Sequence, residues 1–204
     1  MVIEDYNGSF NLTSTMRSVT IDLDKLNSKD PKVNYGFIRQ LLKLCKDTPA
    51  LLYDYFDYWA DMMKSENNIL KWTAIDLIGY LSAIDRANKT DLIIKQLLGM
   101  LHGGHLITSN HAIFALGLIA KNKPGHRSKI IKELIAVSQD PFDTDECKNI
   151  AVGKVVVALH GFLEDIKNNK EVLTFIKQAQ HSSRKATKKK ADALMKKLSA
   201  CFPS

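Results

Sequence analysis

The sequence has no long apolar run, few cysteines and no leader-like start. A membrane-spanning helix needs about 18 to 20 consecutive apolar residues, and no stretch of the chain reaches that length. Residues 1–8 carry two acidic residues and no basic residue, unlike the start of a secretory signal peptide. We therefore expect a cytoplasmic protein with no membrane partner. The three cysteines, Cys45, Cys147 and Cys201, are far apart, which excludes a disulfide framework and predicts buried, reduced thiols.

Motifs typical of enzymes are also absent. Gly103 and Gly104 lack the Gly-Lys-Ser/Thr ending that a phosphate-binding loop requires, and no Ser/His/Asp or Cys/His arrangement stands out. His102 and His105, with His111 nearby, have no cysteine or carboxylate beside them, whereas a zinc site needs three or four ligands. We expect a solvent-exposed loop at 102–105, no metal, no cofactor and no enzymatic activity.

Acidic residues are almost absent from the last part of the chain. From residue 182 to 204 there are seven basic residues and one acidic residue, so nearly all of the net charge of +7 lies there. The clustered basic residues are Arg184, Lys185, Lys188, Lys189 and Lys190. They form either the solvent-exposed face of a terminal helix or a surface that contacts nucleic acid, an acidic partner or an anionic surface. No aromatic residue interrupts them, so recognition of single strands is not predicted.

Most of the chain has the apolar spacing of amphipathic helices, with residues three and four apart on one face. The pattern predicts about nine helices between residues 34 and 204, after an irregular N-terminal arm at 1–33 that includes either a short strand or an extended segment. Valines 155–157 favour a strand by themselves, but their neighbours have helical spacing. The predicted helix starts include Ser65, Ser109, an Asp143/Glu146 capping box and Asn169.

A ten-residue helical pattern occurs twice. Aligning Ala74 with Ala112 also aligns Ile78 with Leu116 and Gly79 with Gly117, at an offset of 38 residues. Repeats of this length are typical of helical arrays, in which pairs of helices stack around a continuous core. A looser third copy begins at Ala151 and has Val156 in place of the glycine.

This Ala-x-x-x-Leu/Ile-Gly motif resembles the HEAT-like repeats and their armadillo relatives over roughly residues 35–201. The resemblance implies an all-α fold, a right-handed α-α superhelix (a HEAT-like solenoid) of four to five helix pairs. It also implies an interaction scaffold, since most such proteins bind other macromolecules through a concave face or an end. We expect the partner to be a protein, with nucleic acid as the alternative through the basic C-terminal helix.

Trp72, Asp76 and Tyr80 are spaced by four and therefore share one face of a predicted helix. They form a binding surface on the concave side, a packing contact between helices, or a catalytic site. The last interpretation comes from HEAT-like alkylpurine DNA glycosylases, in which an aromatic residue and an aspartate four positions later hold the damaged nucleotide. Lys71 and Thr73 replace the tryptophan and aspartate that flank the first aromatic residue there.

The offset between repeats predicts further residues of the same surface. It places Asn110 beside Trp72 and Phe114 beside Asp76. A separate cluster of five aromatic residues with interspersed aspartates is either core or part of a protein interface. Its aromatic members are Tyr53, Tyr55, Phe56, Tyr58 and Trp59.

Overall fold

The computed structural model describes residues 21–201, which form helices joined by turns and contain no strand. The helices are α1 (Pro31–Asp47), α2 (Ala50–Tyr53), α3 (Phe56–Met62), α4 (Asn68–Leu81), α5 (Lys89–Leu101), α6 (Leu106–Asn122), α7 (Pro124–Ala136), α8 (Asp145–Leu159), α9 (Leu163–Ile166), α10 (Lys170–Gln180) and α11 (Lys185–Cys201). Short 3₁₀ turns lie at Leu23–Asn27, Val137–Gln139 and His160–Phe162. The predicted all-α class is confirmed for this part of the chain.

The helices pack as two rows. The first row consists of α1, α4, α6, α8 and α11, each packed against the next. The second row consists of α3, α5, α7 and α10, and its members pack mainly against the first row. The core lies between the rows, where apolar residues such as Leu77, Leu116 and Leu194 are completely buried.

Glycines allow the first-row helices to approach closely. A Cβ atom at Gly79 of α4 would lie 2.9 Å from the Cα of Ala115 in α6, closer than real side chains come. At the contact between α8 and α11, a Cβ at Gly153 would lie 2.5 Å from the Thr187 hydroxyl oxygen. The third repeat copy, which has Val156 at the aligned position, therefore uses a glycine almost one helical turn earlier for the same purpose.

Several helix boundaries differ from the sequence predictions. The predicted helix after Pro49 is split into α2 and α3, and the one after Asp143 is divided into α8 and α9 by the turn at His160–Phe162. Asn67 rather than Ser65 caps α4, since its side chain accepts hydrogen bonds from two backbone amides. Thr144 rather than Asp143 caps α8.

The predicted start of α6 is wrong, whereas the predictions for Asn169 and for the valine-rich segment are confirmed. Helix α6 begins at Leu106, and Ser109 lies inside it, where its hydroxyl donates a hydrogen bond to the Leu101 carbonyl. Ser109 is therefore not a cap. The predicted cap at Asn169 is confirmed, and the three valines are helical, as their flanking residues indicated.

Helix α1 begins at Pro31, within the last residues of the predicted arm at 1–33, and the 3₁₀ turn before it is packed against the fold. Leu26 in that turn is 1% exposed, and the Asn34 side chain donates a hydrogen bond to the Leu26 carbonyl. Residues 1–20, which make up most of the arm, lie outside the described residues.

The expectation of buried thiols holds for one cysteine of three. Cys45 is buried, and burial raises the pKa of its thiol to about 12. Cys147 is half-buried and Cys201 is exposed, and each lies in a terminal turn of its helix.

A polar network around Asp85 joins the ends of several helices. Asp85, just beyond α4, is buried, and its carboxylate accepts hydrogen bonds from the Tyr53 hydroxyl and from the backbone amides of Lys89 and Thr90. The Lys123 ammonium lies 3.2 Å from the same carboxylate. Burial raises the pKa of Asp85, but the hydrogen bonds from Thr90 and Tyr53 outweigh it and hold the pKa well below its usual range. The carboxylate therefore holds the end of α2, the start of α5 and the residue before α7 together.

Candidate binding surface

Trp72 and Asp76 of α4 meet His111 of α6. The indole of Trp72 and the imidazole of His111 are stacked, with ring centroids 5.6 Å apart and planes only 6° from parallel. His111 Nδ1 lies 2.8 Å from Asp76 Oδ1, and the Trp72 N–H donates to the Thr108 hydroxyl at 3.0 Å. Each of the three side chains thus has at least one hydrogen-bond partner within the protein.

Tyr80, one turn further along α4, contacts Phe114 of α6. Their rings are 5.4 Å apart in an edge-to-face arrangement, and burial, followed by the charge of Asp76, raises the pKa of Tyr80. The three α4 residues chosen from the sequence therefore do share one face, and that face packs partly against α6.

The predicted pairing across the repeats is wrong by about one helical turn. Asp76 pairs with His111 instead of Phe114, and Phe114 instead contacts Tyr80. The two helices are displaced along their axes, as the contact of Gly79 with Ala115 rather than Gly117 also indicates. Repeat-equivalent residues are therefore not contacting residues.

A cavity of about 570 Å³ opens between α6 and α8, next to the Asp76–His111 pair. Gly117 and Ala158 are part of its wall, and a Cβ at Gly117 would lie 3.3 Å from that of Ala158. Three large apolar residues along the cavity are unusually exposed: Ile107 (51%), Phe114 (39%) and Val157 (50%). We call the surface formed by the cavity and these three residues the apolar face.

Lysines border the apolar face. Lys121 of α6 and Lys154 of α8 line the cavity, and both are exposed at the residue level. Burial, and then the positive charges of Lys154 and Arg184, lower the pKa of Lys190 on α11. Further along, burial and the charge of Lys197 lower the pKa of His160. We call Lys121 of α6, Lys154 of α8 and Lys190 of α11 the cationic border of the apolar face.

The lysines that form ion pairs within residues 21–201 are elsewhere in the fold: Lys25, Lys64, Lys89, Lys123 and Lys167. Lys121, Lys154 and Lys190 are not among them. Lys121, Lys154 and Lys190 thus form no ion pair with the described residues.

Two of the five basic residues singled out near the C-terminus have identified neighbours. Arg184 donates to the Glu146 carboxylate at 2.8 Å, and the positive charge of Lys154 contributes to lowering the pKa of Lys190. Lys185, Lys188 and Lys189 are exposed, as expected for the wet side of a helix whose residues Thr187, Ala191, Leu194 and Leu198 are buried.

The histidine-rich segment is only partly the exposed loop that was predicted. His105 is exposed, but His102 is half-buried, and its Nδ1 lies 2.9 Å from Asp140 and its Nε2 3.3 Å from Glu133. His102 thereby connects the end of α5 to α7 and the turn after it. The described residues contain no group of three or more side chains with a metal-binding arrangement.

The aromatic cluster is mainly core. Phe56 and Trp59 are buried, and the Trp59 N–H donates to the Leu52 carbonyl. Tyr58 is 41% exposed and packs edge-to-face on Trp59, and the Tyr53 hydroxyl is bound by Asp85. Only Tyr58 presents a large surface to solvent.

Sequence reasoning missed His111 as a partner of Asp76, and it missed Ile107, Lys121, Lys154 and Val157. A signal for Ile107 was present: α6 has apolar residues on nearly all sides, whereas a helix that covers a core on one face needs only one apolar stripe. The lysines had no such signal, because their proximity depends on how α6, α8 and α11 are packed.

None of the helices in the described range is both long enough and apolar enough to cross a bilayer. Comparisons with protein-family models, with curated proteins and with solved structures found no match to this chain.

Proposed function

We propose that this protein is a non-enzymatic scaffold whose helix pairs stack as a HEAT-like, right-handed superhelix and bind another protein. The two-row packing supports the arrangement, because first-row helices pack directly on one another while second-row helices contact mainly the first row. Such an array curves toward its more closely packed row. The exposed side of α4, α6, α8 and α11 would then be the concave surface.

The apolar face is the observation that carries the proposal. The other large apolar residues exposed in residues 21–201 are dispersed over α1, α3 and α5: Val33, Tyr35, Tyr58 and Leu92. Ile107, Phe114 and Val157 instead lie along one cavity. A contiguous apolar patch bordered by polar groups is typical of protein interaction sites.

Asp76 forms part of the contact between α4 and α6. The Asp76 carboxylate is held by His111, its side chain is only 16% exposed, and Trp72 is stacked on the same imidazole. This arrangement stabilises the contact between α4 and α6, and both Asp76 and His111 line the cavity.

Co-purification with paired variants tests the scaffold proposal. Phe114→Ser combined with Val157→Ser should abolish recovery of a specific partner from an extract of the source cells. Leu92→Ser is the matched control, because Leu92 is 84% exposed on α5 and does not line the cavity. Identical partner sets from wild type and the double variant, with unchanged circular dichroism, would contradict the proposal.

Nucleic-acid binding is the second candidate, and the clustering of Lys154, Lys190 and Arg184 favours it. If it is correct, changing Lys188, Lys189 and Lys190 to glutamate should weaken duplex binding strongly. The affinity of the wild type should also fall steeply with salt as phosphate counterions are released. Absence of duplex binding at low salt would exclude this candidate.

A further inference from the structure

The apolar face has two features that restrict what can cover it: an apolar cavity and a cationic border. The cavity of about 570 Å³ lies between α6 and α8 and is lined in part by Ile113, Phe114, Leu118 and Phe162. Its volume falls within the range of pockets that enclose whole side chains or small ligands. An occupant must therefore supply apolar groups to fill it.

The cationic border favours an occupant with negative charge. Lys121 and Lys154 lie on the cavity itself, and Lys190 is close enough to Lys154 for the two charges to oppose each other. Asp76, the acidic residue on the cavity, is already engaged by His111. Because like charges gathered without counter-charges are unfavourable, a partner with carboxylates next to its apolar groups would complement this border.

A short polypeptide meets both requirements, because one segment can carry a large apolar side chain beside aspartate and glutamate.

We propose that the occupant is an acidic, amphipathic segment of a partner protein, an inference that rests on the proposed function. A large apolar side chain of that segment enters the cavity between α6 and α8. Carboxylates that flank it pair with Lys121, Lys154 and Lys190. A nucleic acid fits less well, because its phosphates would have to lie beside the exposed aliphatic surfaces of Ile107 and Val157.

A phage library of random short peptides, selected on the wild type, tests this chemistry. Counter-selection against the Phe114→Ser/Val157→Ser variant removes peptides that bind elsewhere. The enriched sequences should combine one or two large apolar residues with an excess of aspartate and glutamate. Enrichment of neutral or basic sequences, or no enrichment above the counter-selected pool, would overturn the inference.

A charge exchange provides the second readout. An enriched peptide, synthesised and labelled, should bind the Lys121→Glu/Lys154→Glu variant at least about tenfold more weakly than the wild type. The same peptide with its acids changed to lysine should regain affinity for that variant. Both lysines are exposed, so the variant should fold, which circular dichroism checks. The matched control, Lys185→Glu/Lys189→Glu, reverses two exposed charges on α11 and should leave the affinity unchanged.

The two proposals can fail separately. If a native partner is lost from the Phe114→Ser/Val157→Ser variant but the selected peptides are not acidic, the surface binds protein and the inference about its chemistry is wrong. If an unlabelled oligonucleotide displaces the peptide at equal concentration, the inference is overturned in favour of nucleic acid.

Discussion

Several separate segments of the chain converge on Asp85. Its carboxylate is bound by Tyr53, by the start of α5 and by Lys123, and its side chain is fully buried. A buried carboxylate is tolerated only when it is hydrogen-bonded and paired. Since these bonds hold the pKa of Asp85 well below its usual range, the fold favours the ionised form.

We predict that Asp85→Asn lowers the free energy of unfolding by about 3 kcal/mol at neutral pH, because it leaves the Lys123 ammonium without a counter-charge. The lowered pKa of Asp85 means that its contribution is complete above the unfolded value of about 4 and is lost as the pH falls below it. Urea denaturation at several pH values should therefore give a steeper acid decline for the wild type than for the variant.

Asp57→Asn is the control for this prediction. Asp57 pairs with Lys89 at 2.8 Å, but its side chain is 81% exposed, so its loss should cost less than about 1 kcal/mol. Equal destabilisation by the two substitutions would contradict the special role assigned to Asp85.

At the same scale, sequence spacing placed Trp72, Asp76 and Tyr80 on one face, and the structure agrees. Sequence spacing did not identify His111 as the residue that binds Asp76 and stacks on Trp72. Spacing along one helix is fixed by its 3.6-residue period. The displacement between two helices depends on the packing of many side chains and has no local signal.

The elements of the first row depend on small residues where they cross. We predict that Gly79→Ala destabilises the protein by about 1 to 3 kcal/mol, because the new methyl group would overlap Ala115 and push α4 away from α6. Gly99→Ala should instead stabilise it by about 0.5 to 1 kcal/mol, since Gly99 lies on α5 with open space around its Cα and alanine favours helix. Thermal denaturation of the two variants measures both signs.

The repeat motif made Gly79 and Gly117 recognisable as close-contact positions, but not Gly153. Alignment placed Val156 at the glycine position of the third copy, whereas the contact with Thr187 falls three residues earlier. Helix interiors were predicted well because their apolar period is strong. Helix starts were predicted poorly where several polar residues competed, as Ser65 and Asn67 did before α4.

At the scale of the whole molecule, α11 ends the row by covering α8. Its residues Thr187, Ala191, Leu194 and Leu198 are buried, and its outer side carries lysines. We predict that a chain ending at residue 181 has a lower melting temperature and associates as its concentration rises, because the α8 surface around Gly153 would be exposed. Size-exclusion chromatography with light scattering measures the association.

The effect should come from packing rather than from charge. Changing Lys185, Lys188 and Lys189 to glutamine keeps the buried side of α11 and should leave both the melting temperature and the monomer fraction unchanged. A truncated chain that stays monomeric with an unaltered melting temperature would contradict the role of α11 as an end cap.

The contact of Gly79 with Ala115 has a consequence for how the chain folds during its synthesis. The surface of α4 at this glycine is covered by a residue only 36 positions later, and each further junction of the first row needs the next helix pair rather than the C-terminus. As the ribosome releases the polypeptide, every new pair can complete the burial begun by the previous one. The nascent apolar surface of the first row thus waits only seconds for its cover.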